Sequence, residues 1–334
     1  MVVSSQSSPN VFVRYTRKVY HGLGFSRGYN FVLFIIFGGA FLGFTLARLQ
    51  YLNFNGVFCK QGGAAPGECY WYTQFPKYKV GILLHLSTIL PAAFLAIYQF
   101  IPVIRHKCLS FHRINGWTIV VLVLIANAGA IIIAPRTFGG DLSVQTAIGT
   151  LVLMTTIGLA LAIYNAKRLQ IDQHRAWMLR TWFYLGSILT LRIIMISGAA
   201  IISSLGRYHF PMECAKLDYM MEDGNSVLAA YPDCISYYNN TDPSKLALVQ
   251  ADLNGSIAEF AAGLNITFGM AMWLALLIHA VGVETYLQLT PRESQRLRQI
   301  SYERQLEAGF KHPGSAGLTA DRLGDAHAWQ ATKS

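Results

Sequence analysis

Charged residues are scarce in this sequence. Only 13% of its 334 residues are Asp, Glu, Lys or Arg, whereas 53% are hydrophobic, and the mean hydropathy is +0.36. Soluble domains carry about 25% charged residues, so this composition indicates a membrane protein. The sequence also has no internal repeat, Gly-rich phosphate loop, CxxC pair or HExxH motif. It therefore offers no motif for nucleotide binding, dithiol redox chemistry or zinc-dependent proteolysis.

What the sequence does contain is six apolar runs of about 20 residues, the length that crosses a bilayer core as an α-helix. The runs occupy residues 31–47, 80–104, 116–134, 144–164, 178–205 and 257–283. Helices are expected because lipid offers the backbone no hydrogen-bond partners. The sequence therefore predicts an all-α, polytopic membrane bundle of six transmembrane helices. Its first span follows a basic tail and is interpreted as a retained anchor, not a cleaved signal peptide.

The charges between the spans predict an orientation. Segments 1–29, 105–113 and 167–180 are basic, whereas segment 206–256 holds seven acidic residues against three basic ones. Basic loops stay on the cytosolic side, so both termini are predicted to be cytosolic. This bias explains most of the net charge of +10, and no nucleic-acid partner is expected.

The same pattern predicts the domain organisation. A cytosolic basic tail precedes a six-helix transmembrane domain, which has a four-helix core and two lumenal loops, and a partly disordered cytosolic tail follows. The boundaries are 1–29 for the first tail, 30–289 for the transmembrane domain, 80–205 for the core, 51–79 and 206–256 for the lumenal loops, and 290–334 for the second tail.

Cysteine positions agree with this orientation. Cys59 and Cys69 share one predicted lumenal loop, Cys214 and Cys234 share the other, and Cys108 falls in a cytosolic loop. Four cysteines on the oxidising side is the even number that disulfide pairing requires. Spacing alone permits local pairs within each loop or crossed pairs between the loops, and the short loops favour the local pairs.

Glycosylation sequons point to the same side. Those at Asn239 and Asn254 lie in the second predicted lumenal loop, whereas the sequon at Asn265 lies inside the last span, where no transferase reaches it. Together with the cysteines, they predict a multi-pass glycoprotein of the eukaryotic secretory pathway, in the endoplasmic reticulum or the plasma membrane.

Ionisable residues at the span ends, such as Arg48 and Glu259, can reach the interface. Three others lie deeper in the predicted spans, where each is a candidate for function because charge is costly in lipid. Arg192 is about 13 residues from either end of the fifth span, on the order of 20 Å at helical rise. No Asp or Glu lies in the second to fifth predicted spans, so Arg192 either fastens helices together or lines a polar cavity. His85 and His279 lie nearer the span ends, and an interhelical hydrogen bond is the simpler interpretation of His85.

A second group of candidates gathers at the predicted cytosolic face. His112 and Arg113 precede the third span, and His174, Arg175 and Arg180 lead into the fifth. Arginines at this level are ordinary membrane anchors, but histidines anchor poorly and titrate near neutral pH. His174 and Arg192 are eighteen residues apart, which is five helical turns, so they share one helix face.

At these positions the chain resembles a family of multi-pass membrane proteins known as domain of unknown function 2306. The resemblance covers roughly residues 85–197, with His85, the His-Arg-x-x-Gly motif at His112, the His-Arg-x-Trp-Met-x-Arg motif at His174, and Arg192. It implies a four-helix core and carries no assigned chemistry.

Three functions are consistent with these residues. The first choice is a site for an anionic, lipid-phase small molecule or biosynthetic intermediate, with His112 and His174 as acid–base residues. In this site the ligand contacts are Arg113, Arg175, Arg180, Arg192 and His85.

The second function is a b-type haem oxidoreductase, with haem ligands drawn from His112, His174 and His279. No other metal site is predicted. The third is a transporter or scaffold. Membrane lipid is the expected partner in every case.

Overall fold

Helices dominate the computed structural model of the protein, which describes residues 11–60 and 63–332. In chain order the helices are α1 (Val11–Gly22), α2 (Gly28–Leu33), α3 (Gly39–Arg48), α4 (Glu68–Gln74), α5 (Pro76–Gln99), α6 (Pro102–Lys107), α7 (Leu109–Ile133), α8 (Leu142–Lys167), α9 (Ile171–Leu205), α10 (Cys214–Met221), α11 (Gly224–Ala230), α12 (Ile235–Tyr238), α13 (Ile257–Leu289), α14 (Pro291–Glu307) and α15 (Ala320–Leu323). The two strands are β1 (His209–Glu213) and β2 (Leu246–Gln250), paired antiparallel with His209 opposite Gln250.

Six of the described helical segments are long and apolar enough to cross a membrane, which confirms the predicted fold class. They are Gly28–Leu52, α5, α7, α8, α9 and α13. Each of them extends beyond its predicted span at one end or both, and α7 begins at Leu109 instead of residue 116. The fifth begins at Ile171 instead of residue 178, and the sixth ends at Leu289 instead of residue 283. A span predicted from hydropathy ends at the first charged residues, whereas the backbone hydrogen bonds of the helix continue past them.

The chain divides into two compact units. The first comprises residues 1–63 and 83–129, and the second comprises residues 64–82 and 130–334. Residues 1–10 of the predicted basic tail and residues 333–334 of the predicted second tail lie outside the described residues.

In the second unit, α8, α9 and α13 pack around one apolar cluster. Leu191 and Met195 from α9 meet Val144 from α8 and Phe268 from α13 in this cluster. A Cβ atom added to Gly158 of α8 would collide with the Thr181 side chain of α9. The small residue at 158 therefore lets the two helices approach closely, as is common between membrane helices.

Two of these helices have well-formed starts. The Asp141 side chain accepts a hydrogen bond of 2.8 Å from the Val144 amide at the start of α8, and Ser256 with Glu259 forms a capping box at the start of α13. Such caps satisfy amides that have no partner within the helix.

Segment 206–256 forms a small packed layer at one end of the second unit, which we call the disulfide-bearing layer. Cys214 and Cys234 are joined in it, and both are fully buried, which confirms the local pairing predicted for them. Cys59 and Cys69 are also disulfide-bonded, whereas Cys108 is free and exposed.

Candidate functional site

His279 is held by both of its ring nitrogens. Nδ1 lies 2.7 Å from the Phe183 carbonyl oxygen, and Nε2 lies 2.8 Å from Thr190 Oγ1. Both partners are on α9, whereas His279 is on α13. The side chain therefore bridges these two helices.

His85 and His174 also make hydrogen bonds between helices. His85 Nδ1 on α5 lies 3.0 Å from the Ala126 carbonyl oxygen on α7. His174 Nδ1 on α9 lies 2.9 Å from the Ala162 carbonyl oxygen on α8. A ring nitrogen of each histidine thus contributes to helix packing, which for His85 is the simpler of its two interpretations.

His112 and Arg113 lie in the first turns of α7, in the first unit. Gln99 donates a hydrogen bond of 3.2 Å to the His112 carbonyl oxygen, and Arg113 is exposed. The acid–base role of His112, alone or with His174, stays a prediction.

Arg180 has a carboxylate partner that the sequence did not suggest. Its Nε and a terminal nitrogen donate to the two carboxylate oxygens of Glu284 at 2.6 and 2.9 Å. Arg175 donates to the Tyr286 hydroxyl at 3.4 Å. Glu284 is one residue beyond the predicted end of the last span, so the sequence did not indicate it as a partner for an arginine of the fifth span. The bidentate pair engages the Arg180 guanidinium within the protein.

Arg192 also meets partners from outside the spans. Its guanidinium carbon lies 5.2 Å from the centre of the Phe138 ring, which stacks on Phe268 with centroids 4.1 Å apart. Arg192 also acts electrostatically on Glu68 of the predicted lumenal loop. The charge at mid-helix depth therefore lies against an aromatic face and within electrostatic range of a carboxylate 124 residues away in sequence.

Glu68 is the centre of a buried polar cluster that sequence reasoning missed. Only 3% of Glu68 is exposed, and it accepts hydrogen bonds from the Phe138 amide at 3.0 Å and the Tyr72 hydroxyl at 3.2 Å. Lys216 Nζ lies 3.9 Å from Glu68 Oε1, and Tyr72 also contacts the Thr137 hydroxyl at 3.3 Å. We call Glu68, Tyr72, Thr137 and Lys216 the buried polar cluster.

Burial shifts the proton affinities within this cluster. It raises the pKa of Glu68 above its usual value, although the Lys216 ammonium opposes the shift. It lowers the pKa of Lys216, against the attraction of Glu68. The Tyr72 pKa is raised, first by burial and then by the Glu68 charge. Desolvation penalises each charged form, so the carboxyl and the amine are both displaced toward neutral pH.

A cleft of about 170 Å³ lies beside the buried polar cluster. Its walls include Trp71, Arg136, Phe210, Glu213 and Lys216. A terminal nitrogen of the Arg136 guanidinium lies 2.9 Å from Glu213 Oε1, which makes an ion pair. The guanidinium carbon of Arg136 lies 4.0 Å from the centre of the Trp71 ring. Lys216 thus belongs both to the cleft wall and to the buried polar cluster.

A second cavity, of about 270 Å³, lies near the end of α8. Gln170, Gln305 and Ser315 are among its lining residues. Gln305 donates to the carbonyl oxygens of Arg168 at 2.9 Å and Ser315 at 3.0 Å. These contacts attach the segment after α14 to the turn before α9, and none of the predicted site residues lines this cavity.

The helices define a multi-pass α-helical membrane protein, and part of the chain is similar to a known family. Residues 82–214 match the family described as "Predicted membrane protein (DUF2306)", which confirms the resemblance seen at His85, His112, His174 and Arg192. The match includes Arg136 but excludes Glu68 and Lys216.

Among curated proteins, the chain is similar to "Ava biosynthesis cluster protein G" of Aspergillus versicolor. The two are 28% identical over 324 residues, covering 84% of this chain and 94% of the relative. No solved structure matches.

Proposed function

We propose that this protein binds and processes an anionic, amphiphilic small molecule, an intermediate of a biosynthetic route, in the cleft beside the buried polar cluster. The observation that carries the proposal is the position of Lys216. It lines an open cleft while only 4% of its side chain is exposed and it contacts Glu68. A buried ionisable group with a specific charge partner at a cleft wall is typical of a functional site.

The local charge favours an anion. Arg136, Lys216 and Arg192 stand against two carboxylates, Glu68 and Glu213, so the region has one cation in excess when all five groups are ionised. Arg136 is about half-buried and keeps 38% of its side chain exposed beside the cleft. Its guanidinium has the fork geometry that suits a carboxylate or a phosphate.

The aromatic walls of the cleft favour an amphiphile. Trp71 and Phe210 line the same space as the charged side chains, and pockets for small molecules commonly combine such apolar walls with a few polar groups. The name of the relative assigns that protein to a biosynthesis cluster, which supports an intermediate as the ligand.

Acid–base chemistry is the reaction that the buried polar cluster suits best. A general acid or base works best when its pKa lies near the working pH. Burial moves Glu68 upward and Lys216 downward, toward that range. His112 and His174, whose acid–base roles are predicted from the sequence, remain separate candidates for this chemistry.

The binding test compares two arginines of the same region. Arg136→Gln removes the guanidinium at the cleft, whereas Arg207→Gln removes an exposed charge and serves as the matched control. With dodecyl phosphate as the probe and dodecyl maltoside as the neutral reference, we expect Arg136→Gln to weaken binding by about tenfold or more, the effect of losing a charge-assisted hydrogen bond. Equal binding of dodecyl phosphate by the two variants would refute the site.

The haem alternative has no specific support among the described residues. To ligate iron, His279 would have to give up the hydrogen bond between Nε2 and Thr190 or the one between Nδ1 and Phe183. The absorbance spectrum of the purified protein tests this alternative. A Soret band would establish bound haem and would favour the haem oxidoreductase over the site for an anionic small molecule.

We also propose that the disulfide-bearing layer faces the lumen of the secretory pathway, with both termini in the cytosol. Disulfides persist in oxidising compartments, and the sequon residues Asn239 and Asn254 are exposed in this layer. A glycosylated protein of the endoplasmic reticulum or plasma membrane follows from this orientation.

A further inference from the structure

Helix α1 has two chemically distinct faces. Val11, Tyr15 and Val19 recur every four residues and form one stripe, which we call the apolar stripe. Arg14, Arg17, Lys18 and His21 form a second, which we call the basic stripe, and α1 contains no acidic residue. A short helix with this division of charge and apolar surface is typical of segments that lie in a membrane interface.

The apolar stripe is exposed among the residues that the structure describes. Val11 is 67% exposed, Tyr15 71% and Val19 46%. The basic side chains are exposed as well. Leaving three apolar side chains of successive turns in water costs free energy. Such an exposed apolar stripe beside cations therefore indicates an interaction site.

Aromatic contacts hold the end of α1 at the start of the first span. Tyr20 lies 6.1 Å from Phe31 between ring centres, and Phe25 lies 5.7 Å from Phe31 and 5.5 Å from Phe34. Only residues 23–27 separate α1 from the span that begins at Gly28. Because the span is fixed by the bilayer thickness, these contacts place α1 at the level of the lipid headgroups.

We propose that α1 lies in the plane of the membrane interface and binds anionic phospholipid. The apolar stripe enters the boundary of the acyl chains, and the basic stripe contacts phosphate and carboxylate groups of the headgroups. Charge complementarity selects this occupant, because the basic stripe carries three permanent cations without a carboxylate in the helix. Clusters of Lys and Arg beside a transmembrane helix recognise anionic lipid in this way.

Spin labels on the full-length protein in nanodiscs test the proposal. In a Cys108→Ser background, which removes the free cysteine, Tyr15→Cys places a label in the apolar stripe and Arg17→Cys places one in the basic stripe. We expect the label at position 15 to be more accessible to oxygen, and the label at position 17 to be more accessible to a water-soluble nickel complex. Replacing part of the phosphatidylcholine with phosphatidylserine should reduce nickel access at position 15 further.

The control removes the cations and keeps Val11 and Val19 of the apolar stripe, with the label at position 15. In Tyr15→Cys with Arg14→Gln, Arg17→Gln and Lys18→Gln, the response to phosphatidylserine should be lost, as it should for the parent protein in high salt. Nickel access that is equally high at positions 15 and 17 would overturn the proposal. Protection of position 15 from both reagents would also overturn it, since a protein partner or a second copy would then cover the stripe.

Discussion

Lys216→Met should destabilise the protein strongly, because it leaves Glu68 buried without its ammonium partner. Glu68 and Lys216 are each 4% exposed at the side chain, and their charged atoms are 3.9 Å apart. Methionine has a similar length and volume, so the substitution removes the charge with little change in packing. Glu68 keeps its hydrogen bonds from the Phe138 amide and the Tyr72 hydroxyl, which limits the loss.

The expected cost is about 3 kcal/mol, the lower end of the range for removing one partner of a buried ion pair. Replacing both partners, as in Glu68→Gln with Lys216→Met, should be within about 1 kcal/mol of the parent, since no buried charge then remains. The double variant should therefore be about 2 kcal/mol more stable than Lys216→Met alone, and the Glu68→Gln single variant completes the cycle that gives the coupling energy.

The pH dependence adds a second signature. Loss of the ammonium leaves burial to raise the Glu68 pKa further. A carboxyl whose pKa is higher in the folded state than in the unfolded state stabilises the fold at acidic pH, and this contribution is lost as the pH rises through the folded pKa. The cost of Lys216→Met should therefore shrink as the pH falls toward the usual range of a glutamate.

Equilibrium unfolding in mixed micelles at several pH values measures these free energies. Lys245→Met, in the same loop, is the matched control and should cost less than about 1 kcal/mol, because Lys245 is only partly buried. A cost below about 1 kcal/mol for Lys216→Met, or a double variant no more stable than Lys216→Met, would refute the reasoning.

Three other predictions concern α9, α13 and the disulfide-bearing layer. A double-mutant cycle with Arg180→Gln and Glu284→Gln should give a coupling of about 1 kcal/mol, reduced by solvent because Glu284 is 45% exposed; unfolding titrations measure it, and a coupling near zero would contradict the bidentate pair. His279→Leu should cost about 1–3 kcal/mol in the same assay, because a carbonyl and a hydroxyl on α9 each lose a partner. Glycosidase treatment should shift the mobility of the protein on a gel, and the shift should disappear in Asn239→Gln with Asn254→Gln; a persistent shift would contradict the predicted sites.

The helices could be predicted from sequence because membrane insertion imposes a local rule. About 20 apolar residues are needed to cross lipid wherever they fold, so hydropathy located all six segments. The pairing of Cys214 with Cys234 was also accessible, since both lie in one short loop. The limits of α9 and α13 were not, because charged residues such as Asp172, Arg175 and Glu284 lower the hydropathy without ending the helix.

The candidate site was only partly accessible to sequence reasoning. Arg192 stood out because its depth was unusual, but the Phe138 ring that its guanidinium contacts lies outside the predicted spans. Glu68 and Lys216 are 148 residues apart in segments where charged residues are ordinary, so neither carried a signal. Only the folding of the loops over the helices makes these two residues unusual, by burying them beside each other.

The buried cystine has a practical consequence for producing the protein. Cys214 and Cys234 pack among apolar side chains that include Leu217 and Val227, where a reductant in solution has little access to the sulfur atoms. The thiols of Cys214 and Cys234 therefore have to be oxidised while the disulfide-bearing layer folds, and not after folding is complete. Suppose that a host synthesises the chain with these cysteines in a reducing compartment. The membrane helices should then be inserted, but the disulfide-bearing layer should remain incompletely folded.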